Sequence, residues 1–106
     1  MTSVKNYLNQ LPQSVAPEAI ADMSTVLHFD ISGDDGGLYT LTIDKGQISV
    51  AEGLQGDSKS TIKTTAQVFS QLVNKETNPV TALMMGKLKV SNPGEIMKYI
   101  KILGLM

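Results

Sequence analysis

Residues 26–51 read VLHFDISGDDGGLYTLTIDKGQISVA, and this stretch decides the fold. Apolar and polar residues alternate along most of it, which is the period-two pattern of β-strands that bury one face. The glycine-rich residues 33–37 and the Asp44-Lys45-Gly46 sequence interrupt the alternation with typical tight-turn residues. The stretch therefore predicts three strands joined by two hairpins, over residues 26–32, 38–44 and 47–51.

Two further strands are predicted at residues 61–64 and 87–90, where apolar and polar residues alternate again over short segments. Every predicted strand has one apolar and one polar face, as expected of an antiparallel sheet that is covered on one side and solvated on the other. We therefore expect a single α+β domain over residues 1–106. Its sheet should be five-stranded and mostly antiparallel, with helices on one face only.

Helical spacing and capping residues predict the segments that cover this sheet. They are an amphipathic helix through Val4, Tyr7, Leu8 and Leu11 that ends at Pro12, a short turn from Pro17, a helix with Val68, Phe69, Leu72 and Val73 on one face, a helix that begins at Pro79, and a last helix from Pro93 to the C-terminus with Asn92 as its N-cap.

Composition and charge exclude several classes of function. The chain has nine lysines, no arginine, and ten Asp and Glu residues, for a net charge of −1. Arginine is the residue that typically makes bidentate hydrogen bonds to phosphate groups and guanine, so its absence makes nucleic acid an unexpected partner. The absence of cysteine removes disulfides, thiolate nucleophiles and Cys-based metal sites. The N-terminal residues do not resemble a signal peptide and no apolar run is long enough to cross a membrane, so we expect a cytoplasmic protein.

Three motifs that could carry chemistry lack the required surroundings. His28 is the single histidine, and we interpret it as a solvated strand residue with no further ligand or nucleophile beside it. The acidic residues 30–35 superficially resemble a calcium loop, but Leu41 stands where the bidentate glutamate belongs. Residues 53–60 nearly match a phosphate-binding loop, yet strand-like residues follow instead of a helix. We expect no enzymatic activity, no metal and no cofactor.

The C-terminal third has more apolar side chains than one buried helix face needs. Within residues 93–106, an ordinary core stripe is supplied by Ile96, Tyr99, Ile100 and Leu103. The apolar residues left over are Met97, Ile102, Leu105 and Met106, with Met84 and Met85 upstream. Methionine repacks readily around varied shapes. Periodicity alone favours a methionine-rich core or a contact between two copies of the chain, and a cavity for an apolar ligand is the alternative.

The stretch NPVTALMMGKLKV at residues 78–90 resembles the sterol carrier protein 2 family, whose pattern has Asn-Pro, a short helix and then Gly-Lys-Leu-Lys entering the last strand. GGLYTL at residues 36–41 resembles that family's glycine-rich hairpin. IKTTAQVF at residues 62–69 resembles its fourth strand and the following helix. The similarity covers residues 15–104, and the chain resembles the short standalone microbial members.

This resemblance implies that helices and sheet enclose an apolar tunnel, with the final helix as a lid. It implies non-enzymatic binding or transfer of a fatty acid, fatty acyl-CoA, phospholipid or isoprenoid, with sterol less expected, and transient contact with a membrane. The residues expected to line the tunnel are Phe69, Leu72, Val73, Leu83, Met84, Met97, Ile100 and Leu103. The alternative is an interaction module or homodimer that uses the apolar C-terminal helix, accessory to an enzyme of lipid or quinone metabolism.

Overall fold

The computed structural model describes residues 4–34, 36–100 and 102–103. Its first half contains helix α1 (Val4–Ser14), a 3₁₀ helix (Pro17–Ile20) and strands β1 (Thr25–Ser32), β2 (Gly37–Asp44) and β3 (Gln47–Glu52). The second half contains strand β4 (Ser60–Thr65), helices α2 (Ala66–Val73) and α3 (Pro79–Met84), strand β5 (Lys89–Val90) and helix α4 (Pro93–Tyr99).

The five strands form one sheet in the order β3-β2-β1-β4-β5. The pairs β1–β2, β2–β3 and β4–β5 are antiparallel, whereas β1 and β4 are parallel. The prediction of a five-stranded, mostly antiparallel α+β fold is confirmed. The strand pattern does not predict the parallel pair, because a helical crossover normally announces such a pair and here the crossover contains no helix.

Residues 53–59 form this crossover, which we call the strap, and it runs over the polar face of β2 and β1. The Gly53 N–H donates to the Leu38 carbonyl at 2.7 Å, and the Lys59 N–H donates to the Val26 carbonyl at 2.8 Å. The Thr40 hydroxyl donates to the Gly53 carbonyl at 2.7 Å and accepts from the Gln55 N–H at 2.9 Å. The strap therefore covers part of the sheet face that the alternation predicts to be solvated.

The opposite, apolar face of the sheet forms the core. The strand register places Phe29 beside Tyr39 of β2 and Ile62 of β4, and all three are buried. Phe69 of α2 meets Phe29 edge-on, with ring centroids 6.4 Å apart, and meets Tyr7 of α1 edge-on at 5.6 Å. Helices α1 and α2 are thus anchored to the sheet through one aromatic cluster.

Helix α1 continues past Pro12 to Ser14, so the prediction that this proline ends the helix is wrong. Proline removes its own N–H from the helical ladder and crowds the carbonyl four residues earlier, which weakens the helix but does not end it here. The next turn is restored by the Val15 N–H, which donates to the Leu11 carbonyl at 3.1 Å, and by the Ser14 hydroxyl, which donates to the Gln10 carbonyl at 2.9 Å.

The C-terminal elements are shorter than predicted. Strand β5 is reduced to two residues, because the N–H groups of Lys87 and Leu88 donate to the Ala82 carbonyl of α3, at 2.9 and 3.2 Å, instead of to a strand. Helix α4 ends at Tyr99 and does not extend to the C-terminus, because the chain then turns and buries Leu103. Leu105 and Met106 lie outside the described residues.

Candidate functional site

Helix α3 and the turn that follows it form one wall of an apolar groove. The Asn78 side chain caps the helix by accepting the Thr81 N–H at 2.8 Å, and Pro79 occupies the first turn, where its missing N–H costs nothing. Gly86 ends the turn with a φ of 75°, a conformation that a residue with a side chain rarely adopts. The chain therefore passes from α3 into the neighbouring strand β5 within a few residues.

Helix α4 forms the other wall, and its two sides differ in chemistry. Ile96, Met97 and Ile100 face the groove. Glu95, Lys98 and Tyr99 line a hollow of about 570 Å³ on the other side, which also contains Asp22 and Lys59. That hollow is larger than the groove, but its charged lining suits water and ions better than an apolar ligand.

Every residue that lines the groove is apolar: Pro79, Val80, Leu83, Leu88, Val90, Pro93, Ile96, Met97 and Ile100. Leu88, Ile96 and Ile100 are buried at its base, while Val80 and Met97 are almost half exposed at its rim. Its volume is about 30 Å³, which holds little more than a water molecule. The described residues thus form a closed apolar cleft, and the open tunnel implied by the resemblance is not present among them.

Polar contacts hold α4 over the sheet from the side opposite the groove. The buried Thr25 hydroxyl donates to the Glu95 carboxylate at 2.7 Å, and Asn92 caps the helix by accepting the Glu95 N–H at 3.3 Å. The latter contact confirms the predicted N-cap. The Tyr99 hydroxyl reaches the Ser24 carbonyl at 3.5 Å. Among the described residues, the side chains that meet across the groove are apolar, so α3 and α4 share no hydrogen bond there. Outward movement of α4 would, however, break the contacts of Glu95 and Tyr99 with Thr25 and Ser24.

The structure distributes the eight predicted lining residues over three environments. Leu83, Met97 and Ile100 line the groove. Phe69, Leu72 and Leu103 are packed in the core behind it, with Val73 at the core's edge. Met84 points away from the groove, with 83% of its surface exposed.

Sequence reasoning missed Leu88 and Val90 as groove residues, although a signal for them exists. They alternate with Lys87 and Lys89, which places both apolar side chains on the core side of β5. Ile96 was expected only in the core stripe of the last helix, and Pro93 only as the first residue of that helix. The spacing of apolar residues along a helix or strand does not distinguish side chains that fill a core from side chains that border a cleft.

His28 is buried, with 8% of its surface exposed, so its interpretation as a solvated residue is wrong. The strap covers the imidazole, whose Nε2 lies 3.1 Å from the Gln55 carbonyl. The ring is on the sheet face opposite the groove. Among the described residues, no three His, Cys, Asp or Glu side chains are grouped so that they could hold a metal ion.

Comparison with known proteins identifies the family. The protein-family model described as the SCP-2 sterol transfer family matches residues 4–105 of the chain. The chain belongs to the SCP-2 sterol transfer family. Membership indicates lipid binding or transfer, and the SCP-2 fold is a lipid-binding fold that is not catalytic by itself.

The curated relatives are longer than this chain. Hydroxysteroid dehydrogenase-like protein 2 of Rattus norvegicus is 28% identical over 105 residues, which is 98% of this chain and 20% of the relative. The chain thus spans about a fifth of the length of the curated relatives that it matches.

Solved structures share the SCP-2 fold. SCP2L2 from Aedes aegypti, solved in its palmitated form, gives a TM-score of 0.76 at 17% identity and covers 96% of this chain and 95% of its own. The sec-alkylsulfatase Pisa1 from Pseudomonas sp. gives a TM-score of 0.78 at 18% identity, and the match covers 94% of this chain and 16% of the sulfatase.

No helix among the described residues is both long enough and apolar enough to span a membrane.

Proposed function

We propose that this chain binds one apolar lipid chain in the groove between α3 and α4 and carries it without chemical change. The ligand class is a fatty acid, fatty acyl-CoA, phospholipid or isoprenoid. The observation that carries the proposal is the groove itself, because each of its nine lining residues is apolar. Palmitate in the related Aedes aegypti protein supports an acyl chain as the ligand.

The groove must open to admit such a ligand, and we assign the movement to α4, which meets α3 across the groove through apolar side chains. Burying one methylene group is worth about 0.8 kcal/mol, so a sixteen-carbon chain gains on the order of 10 kcal/mol from leaving water. Opening separates Leu83 of α3 from Met97 of α4, both of which are already partly exposed. This gain offsets the loss of the rim contacts and of the hydrogen bonds that hold Glu95 and Leu103 in the closed state.

A shallow rim and a packed interior explain the positions of six of the eight predicted residues. Leu83, Met97 and Ile100 are the first to contact the ligand. Phe69, Leu72 and Leu103 then become the tunnel wall once α4 and the turn after it move outward. The final helix therefore acts as the lid.

Catalysis by His28 is not part of this proposal. Its ring is covered by the strap on the far side of the sheet, so a ligand in the groove cannot reach it. Incubation with palmitoyl-CoA should release no free CoA above buffer. Hydrolysis that is lost in His28→Gln would contradict the proposal.

A tryptophan placed in the groove tests the proposal directly. Met97→Trp should fill the cleft and weaken binding of a fluorescent fatty acid at least about tenfold, the equivalent of about two lost methylene contacts. Leu38→Trp is the matched control, since Leu38 and Met97 are both 47% exposed and Leu38 lies on the opposite sheet face. Equal affinities of the two variants would contradict the proposed site.

Native mass spectrometry after mild purification separates this function from an interaction module. The carrier should appear as a monomer with a bound hydrophobic compound, which tandem fragmentation then identifies. A ligand-free dimer would instead favour the module that uses the apolar surface of α3 and α4 as a protein interface.

A further inference from the structure

The apolar side chains that remain exposed are concentrated beside the groove. Of the seven large apolar side chains exposed among the described residues, five belong to α3, its C-terminal turn and α4: Val80, Leu83, Met84, Met85 and Met97. Met84 and Met85 are the extreme cases, at 83% and 62% exposure, and form a projecting tip at the end of α3. Neither lines the groove, so a ligand bound there leaves this tip uncovered.

Lysines flank the same tip. Lys63, Lys87 and Lys89 line a hollow of about 360 Å³ that begins at Gly86, next to the tip, on the polar side of β4 and β5. Its other lining residues are Asp30, Ser32, Thr64 and Thr65. Asp30 is the single carboxylate among them and is paired in register with Lys63. The lining therefore has an excess of positive charge.

Two of these lysines are directly opposed across the sheet. Lys63 of β4 and Lys89 of β5 are register partners on one antiparallel pair. Like charges in this position destabilise a sheet, and neither lysine takes part in the ion pairs that Lys5 and Lys98 form with Glu52 and Glu95. An anionic partner would remove this repulsion.

The sequence shows the same asymmetry on a larger scale. Residues 80–106 contain four lysines and one glutamate, whereas residues 1–79 contain five lysines and nine Asp or Glu. Glu95, the single acid of the C-terminal part, is directed away from the tip, toward Thr25 and Lys98. The apolar tip thus lies in the basic part of an otherwise acidic chain.

We propose that the Met84–Met85 tip inserts into an anionic lipid bilayer while Lys63, Lys87 and Lys89 contact its headgroups. Exposed apolar side chains bordered by lysines match the layered chemistry of such a surface, with acyl chains below and anionic groups above. A protein partner would have to reproduce both layers. The tip ends helix α3, which is one wall of the groove, so the contact rests on the proposed lipid exchange for its purpose, although the contact itself needs no bound ligand.

Co-sedimentation with lipid vesicles tests this surface. The wild-type chain should bind vesicles of phosphatidylcholine with about one third phosphatidylserine, bind pure phosphatidylcholine far less, and lose binding as salt screens the charges. Lys87→Gln/Lys89→Gln should weaken binding to the anionic vesicles roughly 25-fold, or about fivefold for each lysine. Met84→Ser/Met85→Ser should weaken it at least about tenfold, because the inserted methionines contribute through their buried area.

Lys5→Gln/Lys45→Gln is the matched control, with the same change in net charge on the α1 and β3 side of the molecule. It should bind vesicles as the wild type does. An equal loss of vesicle binding in this control would overturn the proposal. Wild-type binding by Lys87→Gln/Lys89→Gln or by Met84→Ser/Met85→Ser would also overturn it. So would competition by inorganic phosphate beyond that of chloride at equal ionic strength, because this would identify a small-anion pocket instead of a bilayer contact.

Fatty acid binding in vesicle-free solution separates this inference from the proposed function. Lys87→Gln/Lys89→Gln should bind the fluorescent fatty acid with unchanged affinity, which supports a docking role distinct from the groove. If the wild type binds vesicles in the predicted pattern but binds no fatty acid, the docking surface is supported and the proposed function fails. If it binds fatty acid but not anionic vesicles, the proposed function stands and this inference is overturned.

Discussion

The Tyr7 hydroxyl on α1 donates a hydrogen bond to the backbone carbonyl of Leu103, 96 positions further along the chain. Leu103 follows helix α4, and its own N–H donates to the Tyr99 carbonyl at 2.9 Å. The N-terminal helix therefore holds the segment that must move if α4 is the lid of the groove. This contact couples the stability of the domain to the ease of opening.

Removal of the Tyr7 hydroxyl should loosen this closure. Tyr7→Phe keeps the ring against Phe69 but leaves the partly buried Leu103 carbonyl unpaired, so we expect the free energy of unfolding in urea to fall by about 1 kcal/mol. Tyr99→Phe is the comparison, because its hydroxyl contact is long, at 3.5 Å, and should contribute less. A larger loss in Tyr99→Phe than in Tyr7→Phe would contradict this role for Tyr7.

Tyr7 also predicts a change of stability at alkaline pH. Burial raises the pKa of the Tyr7 phenol above its ordinary value of 10.0, since the charged form is poorly solvated there. Below pH 10.0 the phenol is neutral in both states and its contribution is fully present. As the pH rises above 10.0 toward the raised pKa, only the unfolded state loses the proton, so the folded state is destabilised. The difference in unfolding free energy between the wild type and Tyr7→Phe should therefore shrink above pH 10.0, and a constant difference would contradict this account.

Two capping asparagines can show which helix moves. Asn92→Ala and Asn78→Ala remove the N-caps of α4 and α3, and each should cost about 1 kcal/mol of stability. If α4 is the lid, Asn92→Ala should accelerate release of a fluorescent fatty acid, measured by stopped flow, while Asn78→Ala should not. Faster release in Asn78→Ala alone would identify α3 as the moving wall.

Local patterns predicted the elements of this fold well and their relative placement less well. The alternation from Leu27 to Val50 specifies which side chains face the core, because a half-buried strand has period two. Alternation does not specify strand order, so neither the parallel β1–β4 pair nor the strap that it requires could be read from it. For this reason His28 and Thr40 were expected in solvent and are buried beneath the strap.

The sequence predicted some of the residues of the candidate site, but not whether the groove between them is open or closed. Helical spacing identified Met97 as surplus to the core stripe, and the family resemblance implied Leu83 and Ile100 as lining residues; the structure brings these three residues together. Whether their side chains meet or leave a gap depends on angstrom-scale packing of α4, which residue periodicity does not encode. Met84 shows the same limit, since a helical stripe does not reveal that its neighbour is solvent.

Methyl NMR of the protein titrated with palmitate tests most directly whether the groove between α3 and α4 opens for an acyl chain. We predict that the methyl signals of Leu83, Met97 and Ile100 shift on binding, while those of Leu38 and Ile48, on the opposite face and the far edge strand, stay unchanged. Saturable shifts confined to residues outside the groove, or no shifts at any methyl group, would contradict the account.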